Sequence, residues 1–307
     1  MLPSFLSFVS LYTSYLRRCF TSSGLSRQSI HIDDETTISI WGPNPDHLGP
    51  PPTSKPALVL IHGFGPVCLW QWRKQVQFFA PNFRLYVPDL VFFGDSMTKS
   101  GNRTEMFQAE CVAKVLEKLG VERYSVVGTS YGGMVAYQVA RLWPERVEKV
   151  VVASSGVNMR RRDNEELVKK ANVDNVGDLM LPQQASQLRA LLGVAVANKP
   201  LFGVPDFFLN DFIRKLYAEN RNEKLELLKG LTIGKDDKVN ISPLEQDVLL
   251  VWGEHDRIFP LEMAHELKGL IGKEVKLEVI KNAAHVPQLE QAALFNNIIK
   301  RFLCGSS

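Results

Sequence analysis

The stretch GTSYGG, Gly128 to Gly133, joins the apolar run YSVV (124–127) to the helical pattern MVAYQVARLWP (134–144). Three readings compete for a serine held between strand and helix with glycines two residues to either side: a phosphate cradle, a plain tight turn and a nucleophile site. A phosphate loop needs GK[ST] after its glycines, and none follows. Gly128-x-Ser130-x-Gly132 has instead the spacing of a nucleophile elbow. A sharp strand-to-helix turn holds the serine backbone in a strained conformation. Its neighbours two residues away must then lack a Cβ if strand and helix are to pass closely. Gly133 extends that tolerance one residue into the helix. The amides that open the helix point toward the serine oxygen and favour negative charge there. GxSxG also arises in ordinary turns, and it is the strand before and the helix after that favour the elbow.

The rest of the chain supplies such strands and helices in alternation. Apolar runs occur at ALVLIH (57–62), FRLYVPD (83–89), YSVVG (124–128), VEKVVVAS (147–154), DVLLVWG (247–253) and VKLEVI (275–280). Most lack in/out alternation, as in strands covered on both faces. Helical patterns lie between them at 110–120, 131–142, 261–272 and 291–303. This order predicts an α/β fold with a doubly wound, mostly parallel sheet over 36–156 and 244–307, with TISIWG (37–42) extending one edge. From 157 to 243 no strand pattern appears. DNEELVKKA, PQQASQLRALLGVAV, DFFLNDFIRKLYAE and NEKLELLKG read as helices. A crossover needs only about a dozen residues, so 157–243 is expected to be an inserted helical cap.

Composition narrows the function classes. The chain has 307 residues, 45% hydrophobic and 22% charged, which suits a globular protein with a sizeable core. A net charge of +3 is too mild for nucleic acid, and the basic run MRRRD (159–163) reads as a solvated helix start. Cys19, Cys68, Cys111 and Cys304 are scattered without metal-like spacing, as expected for reduced thiols in an intracellular protein. No metal or cofactor is implied. Residues 1–35 stand apart as an arm. Its first 29 residues carry no Asp or Glu, and Arg17 and Arg18 follow a run of only twelve residues, 5–16, interrupted by hydroxyls. That run is too short to span a bilayer, and its charges lie on the wrong side for a secretory signal. A transit peptide, a membrane-surface helix and a packing arm remain. The linker GPNPDHLGPPPTSKP (42–56) follows.

A serine hydroxyl needs a base, and the base an orienting acid. In this architecture the chain order is serine, acid, histidine. His285, in the loop VIKNAAHVPQLE beyond the last strand, sits at the carboxyl end of the sheet, where open α/β sheets place their ligands. His265 falls inside a helical pattern, and His255 lies within WGEHDRIFP. For the acid, Asp256 in WGEHDRIFP follows a strand at the same edge, with Glu254 as the main rival; Asp236 and Asp237 compete less well, and Asp247 opens its strand at the wrong edge. Two backbone donors are needed for the tetrahedral oxyanion. Tyr131 N–H opens the helix, and Phe64 N–H in the loop HGFG (62–65) is the second candidate. His62 reads as a loop histidine. Substrate contacts are expected from the aromatic-rich segment Phe202, Phe207, Phe208, Leu209 and Phe212, with Phe92 and Phe93 from the loop after 83–89. Phe208 and Phe212, four apart on one helix face, are the candidate pocket residues; sealing the cap onto the main domain is the competing reading.

The segments LVLIHGFG, PDLVFFGDS, SVVGTSYGGMVAYQVA…PERVEKVV, WGEHDRIFP and KNAAH together resemble the α/β-hydrolase superfamily, from about residue 36 to 303. Within it the chain is similar to plant serine hydrolases related to monoacylglycerol lipases and to meta-cleavage-product hydrolases. The resemblance implies Ser130 as nucleophile, Asp256 as acid, His285 as base and Phe64 with Tyr131 as oxyanion donors. One departure is Val286, where carbon–carbon bond hydrolases often carry tryptophan. Serine at the elbow speaks against epoxide hydrolases and haloalkane dehalogenases, which use aspartate there. The expected function is hydrolysis of small-molecule carboxylic esters of apolar acyl groups through an acyl-enzyme. Carbon–carbon hydrolysis, acyl transfer and a ligand-binding receptor on the same fold are the alternatives.

Overall fold

The computed structural model describes residues 7–44, 55–197 and 203–305. Phe202 and the middle of the proline-rich linker, 45–54, lie outside them, as do residues 1–6 of the arm. Among the described residues nine strands form one sheet: β1 (Leu25–His31), β2 (Thr36–Pro43), β3 (Ala57–Ile61), β4 (Arg84–Pro88), β5 (Met97–Thr98), β6 (Tyr124–Thr129), β7 (Val147–Ala153), β8 (Asp247–Gly253) and β9 (Val275–Ile280). The order is β1-β2-β4-β3-β6-β7-β8-β9, with β5 on the flank of β2. From β4 through β9 every pairing is parallel, and β1, β2 and β5 add antiparallel partners at one edge.

β3 and β6 are buried along their whole length, which explains their unbroken apolar runs. Alternate side chains divide between two cores. Leu58, Leu60, Val127, Val151 and Leu249 meet helices α1 (Phe8–Ser22), α2 (Cys68–Phe79) and α12 (Ala292–Cys304). Val59, Ile61, Val126, Val150 and Val152 meet α3 (Glu105–Lys118), α4 (Tyr131–Leu142) and α10 (Leu261–Leu270). Between β7 and β8 stand α5 (Arg161–Ala171), α6 (Val176–Met180), α7 (Ala185–Ala195), α8 (Asp206–Leu216) and α9 (Arg221–Gly230), whose Leu167, Leu179, Leu188, Leu209 and Ile213 join the second core.

The amino-terminal segment packs on the rest of the chain. β1 pairs with β2 over its full length, from Leu25 opposite Pro43 to His31 opposite Thr37. Its sequence LSRQSIH buries only Leu25, an edge strand with one wetted face, so no apolar run marks it. α1 buries Val9, Leu16, Cys19 and Phe20, and the Phe20 ring meets Trp41 edge-on at 5.2 Å. Truncating a buried phenylalanine of this kind to alanine costs about 3–5 kcal/mol. Ser7 caps α1 and donates to Asp211 Oδ2 of α8 at 2.6 Å, tying the segment to the inserted helices. Among the described residues no helix is long and apolar enough to cross a membrane. Cys19, Cys68, Cys111 and Cys304 carry free thiols.

Candidate active site

Ser130 sits between β6 and α4 with φ 55° and ψ −123°. Such a backbone costs roughly 1–3 kcal/mol and persists only where its surroundings enforce it. Here the enforcement is visible. A Cβ at Gly128 would lie 2.1 Å from the Gly132 carbonyl oxygen, and one at Gly132 would lie 2.3 Å from that of Ile61. The contacts are with backbone, which cannot swing aside. Ser130 N–H donates to the Ala153 carbonyl at 2.9 Å, and Ser155 Oγ donates to the Ser130 carbonyl at 2.6 Å.

His285 lies in the loop between β9 and α11 (Pro287–Glu290) and is 6% exposed. Its Nε2 is 2.9 Å from Ser130 Oγ, and its Nδ1 is 3.0 Å from Asp256 Oδ2 and 3.2 Å from Oδ1. Asp256 follows β8, and its Oδ1 also accepts from the amides of Ile258 at 2.9 Å and Phe259 at 3.0 Å. Those two donors fix the orientation of the carboxylate. A carboxylate on Nδ1 holds the ring proton there and leaves Nε2 as acceptor for the serine hydroxyl. The helices between β7 and β8 contribute too: His285 N–H donates to the Ala195 carbonyl of α7 at 3.0 Å.

The rival groups stand elsewhere. Glu254 is exposed, receiving Asn282 N–H and facing His255 at 3.6 Å. His265 is exposed on α10. Asp237 pairs with Arg161, Asp236 offers its carbonyl to the Arg161 amide, and Asp247 is exposed at the start of β8. His62 is wholly buried; its Nδ1 donates to the Gly63 carbonyl at 2.8 Å and its Nε2 accepts the Leu90 amide at 3.0 Å. Burial holds its basicity below that of an ordinary histidine, against the opposing pull of Asp89. Neutral His62 therefore shapes the loop that carries Phe64.

That loop passes the serine closely: a Cβ at Gly63 would lie 3.0 Å from Ser130 Cβ. Gln71 of α2, unremarked in the sequence, fastens it. Its Oε1 accepts Gly63 N–H at 2.8 Å, and its Nε2 donates to the Gly63 carbonyl at 3.0 Å and to Pro66 at 2.6 Å. At the first position of α4 the Tyr131 amide has no partner within its helix. Both loop and helix start border a cavity of about 190 Å³ whose wall includes Ser130, His285, Phe64, Trp70, Met180, Leu191, Leu192, Ala195, Val196, Phe212 and Val286. No Lys, Arg, Asp or Glu is among the described residues of that wall. Buried polar groups on it without a hydrogen-bond partner include Thr129 Oγ1 and the Gln288 amide.

Of the two phenylalanines expected to bind substrate, only Phe212 reaches this wall. Phe208 is 42% exposed and packs on Phe207, ring centres 4.1 Å apart. α8 turns Leu209, Phe212 and Ile213 inward, and its apolar stripe is wider than the surface it covers. Phe93 stands one layer behind the cavity, edge-on to Phe64 and His62. A larger, more open depression of about 680 Å³ beside α7 and α8 contains none of Ser130, Asp256 and His285, and its Arg189 and Arg214 are paired with Asp206 and Asp211.

A family model described as alpha/beta hydrolase fold matches residues 56–292. The chain belongs to this hydrolase family. Carboxylesterase YbfK of Bacillus subtilis is 27% identical over 263 residues, covering 83% of this chain and 82% of its own. A 2-hydroxy-6-oxononadienedioate/2-hydroxy-6-oxononatrienedioate hydrolase of Burkholderia vietnamiensis is 27% identical over 296 residues, 92% of this chain and 97% of its own. In fold, the hydrolase is similar to the crystal structure of a membrane phospholipase A at TM-score 0.77 and 23% identity, over 98% of this chain and 93% of the other.

Proposed function

We propose that this hydrolase cleaves carboxylic esters of apolar acyl groups through an acyl-enzyme formed on Ser130. The hydrogen-bonded run Asp256–His285–Ser130 on the wall of an uncharged cavity carries the reading. Ser130 Oγ attacks the ester carbon while its proton passes to His285 Nε2. The Phe64 and Tyr131 amides receive the oxyanion, Tyr131 held by the turn into α4 and Phe64 by the loop that Gln71 fastens. Collapse breaks the carbon–oxygen bond, and the alcohol leaves with the proton from His285. A water, deprotonated by His285, then attacks the acyl-serine; the acid departs and Ser130 regains its proton. Asp256 holds the imidazole in the required tautomer throughout.

The cavity supports the acyl assignment by size and polarity. About 190 Å³ holds roughly six groups of water or methylene size, at about 30 Å³ each. The Burkholderia relative is named for a substrate carrying two carboxylates, and nothing cationic in this wall would meet them. That favours ester over carbon–carbon cleavage. A p-nitrophenyl ester series from acetate to laurate, with wild type and Ser130→Ala, tests the reading. Each buried methylene contributes about 0.8 kcal/mol, nearly fourfold, so butyrate to octanoate should exceed acetate more than tenfold in kcat/KM. Acetate as the best substrate, or turnover surviving in Ser130→Ala, contradicts it.

A further inference from the structure

Five of the ten large hydrophobic side chains that face solvent among the described residues belong to two neighbouring helices: Phe8, Leu11 and Tyr15 of α1, and Phe207 and Phe208 of α8. Phe8 and Leu11 are 62% and 63% exposed. The spacing 8, 11, 15 places the first three on one stripe of α1, and Arg18 continues it. The Ser7–Asp211 hydrogen bond holds the start of α1 against α8 one turn from Phe207 and Phe208, so the two exposed ends adjoin. A clustered apolar surface of this kind marks an interaction site rather than chance exposure.

The charges carried by α1 and by the helix packed on it are of one sign. α1 and α2, which pack together, carry Arg17, Arg18, Arg73 and Lys74 and no Asp or Glu. None of the four is paired with a carboxylate among the described residues. The Arg73 guanidinium lies 5.8 Å from the centre of the Tyr15 ring, at the border of the apolar stripe. The nearby carboxylates on α8 are engaged: Asp211 by Ser7 and Arg214, and Asp206 by Arg189.

We propose that the exposed stripe of α1, with Phe207 and Phe208, docks this protein on an anionic lipid bilayer. Fifteen residues of helix extend about 22 Å, too short to cross about 30 Å of hydrocarbon but suited to lying in the interface. Arg18 and Arg73 meet the headgroups while the apolar side chains enter the acyl boundary. A second copy is the poorer occupant, because a twofold contact would bring these unpaired cations against themselves. The surface also leads to the cavity. Phe8 stacks on Tyr12 at 6.2 Å, Tyr12 meets Trp70 at 5.0 Å, and Trp70 meets Phe212 at 5.3 Å. Trp70 and Phe212 belong to the cavity wall beside Ser130. The docking itself does not depend on the ester chemistry; only the delivery of lipid to the cavity rests on that reading.

Flotation of the full chain with vesicles tests the docking without any turnover. The vesicles are phosphatidylcholine alone, or phosphatidylcholine with phosphatidylglycerol, at low and at high salt. Wild type should bind the mixed vesicles and lose much of that binding at high salt. Arg18→Gln with Arg73→Gln should weaken binding to mixed vesicles about fivefold per charge and leave binding to phosphatidylcholine alone unchanged. Leu11→Gln with Phe207→Ser should weaken binding to both vesicles by at least about tenfold. All of these side chains are outside the cavity wall, so turnover of a soluble short ester and the melting temperature should hold. The proposal is overturned if wild type does not float with mixed vesicles, or if either pair of substitutions binds as wild type. It is equally overturned by a dimer in sedimentation that Leu11→Gln with Phe207→Ser dissolves while vesicles are ignored.

Discussion

Replacing Gln71 with methionine separates the machinery that makes the oxyanion from the machinery that binds the acyl chain. Methionine keeps the length and flexibility of the side chain and removes both polar atoms. Three hydrogen bonds vanish, to Gly63 N–H, the Gly63 carbonyl and the Pro66 carbonyl. The Gly63 carbonyl keeps His62 Nδ1, so the buried groups left without a side-chain partner are one amide and one carbonyl. An orphaned buried group costs about 1–3 kcal/mol, so stability should fall by about 2–6 kcal/mol. The larger signal is kinetic. With the loop loosened, the Phe64 amide no longer stays aimed at the developing oxyanion. Complete loss of one oxyanion donor costs about 10²–10³ in kcat, which sets a ceiling, and about tenfold to a hundredfold is expected for a misaimed one. KM should change by less than about twofold, since the apolar side chains of the wall stay in place and methionine keeps the length of Gln71, itself part of that wall. Steady-state kinetics on p-nitrophenyl butyrate, with thermal melting alongside, reads both effects. A folded Gln71→Met enzyme with wild-type kcat, or one whose defect lies wholly in KM, would refute the positioning role.

Asp256→Asn should lower kcat by about 10⁴, as the same change does in a serine protease, while Glu254→Gln stays near wild type; stopped assays on one ester rank the two, and the reverse order moves the acid to Glu254. Phe212→Ala should flatten the preference for longer acyl chains, whereas Phe208→Ala leaves the chain-length profile unchanged, and equal effects from both would remove the cavity assignment. His62, neutral in the fold with its basicity depressed by burial, ionises more readily in the unfolded chain, near about pH 6.5. Its contribution to stability is therefore present above that pH and is lost as pH falls below it. Melting temperatures from pH 7 to 5 should decline more steeply for wild type than for His62→Gln, whose amide can make both loop hydrogen bonds; parallel declines would count against this.

The parts of the fold readable from sequence are those with a strong local cause. β3, β6, β7 and β8 announce themselves because burial on both faces demands continuous Val, Leu and Ile. The elbow is legible because its glycines answer to backbone atoms within 2.3 Å of where a Cβ would sit. His285 and Asp256 could be singled out because both follow strands at the same edge of the sheet. β1 escaped notice because an edge strand of alternating polarity buries little. Gln71 escaped because a glutamine inside a helix gives no sign that it reaches back to the loop before it; its buried polar atoms become informative only once HGFG is folded beside them. Spacing alone pairs Phe208 with Phe212, and spacing cannot tell which part of an amphipathic stripe the neighbouring element covers.

The central claim is that Ser130 is a nucleophile activated by His285. Intact and peptide mass spectrometry after treatment with a fluorophosphonate tests it most directly. One phosphonyl group per chain is expected, located on Ser130, with labelling slowed by orders of magnitude in His285→Ala and absent at that position in Ser130→Ala. A chain that stays unlabelled, carries the group on another residue, or labels at an unchanged rate without His285 would contradict it.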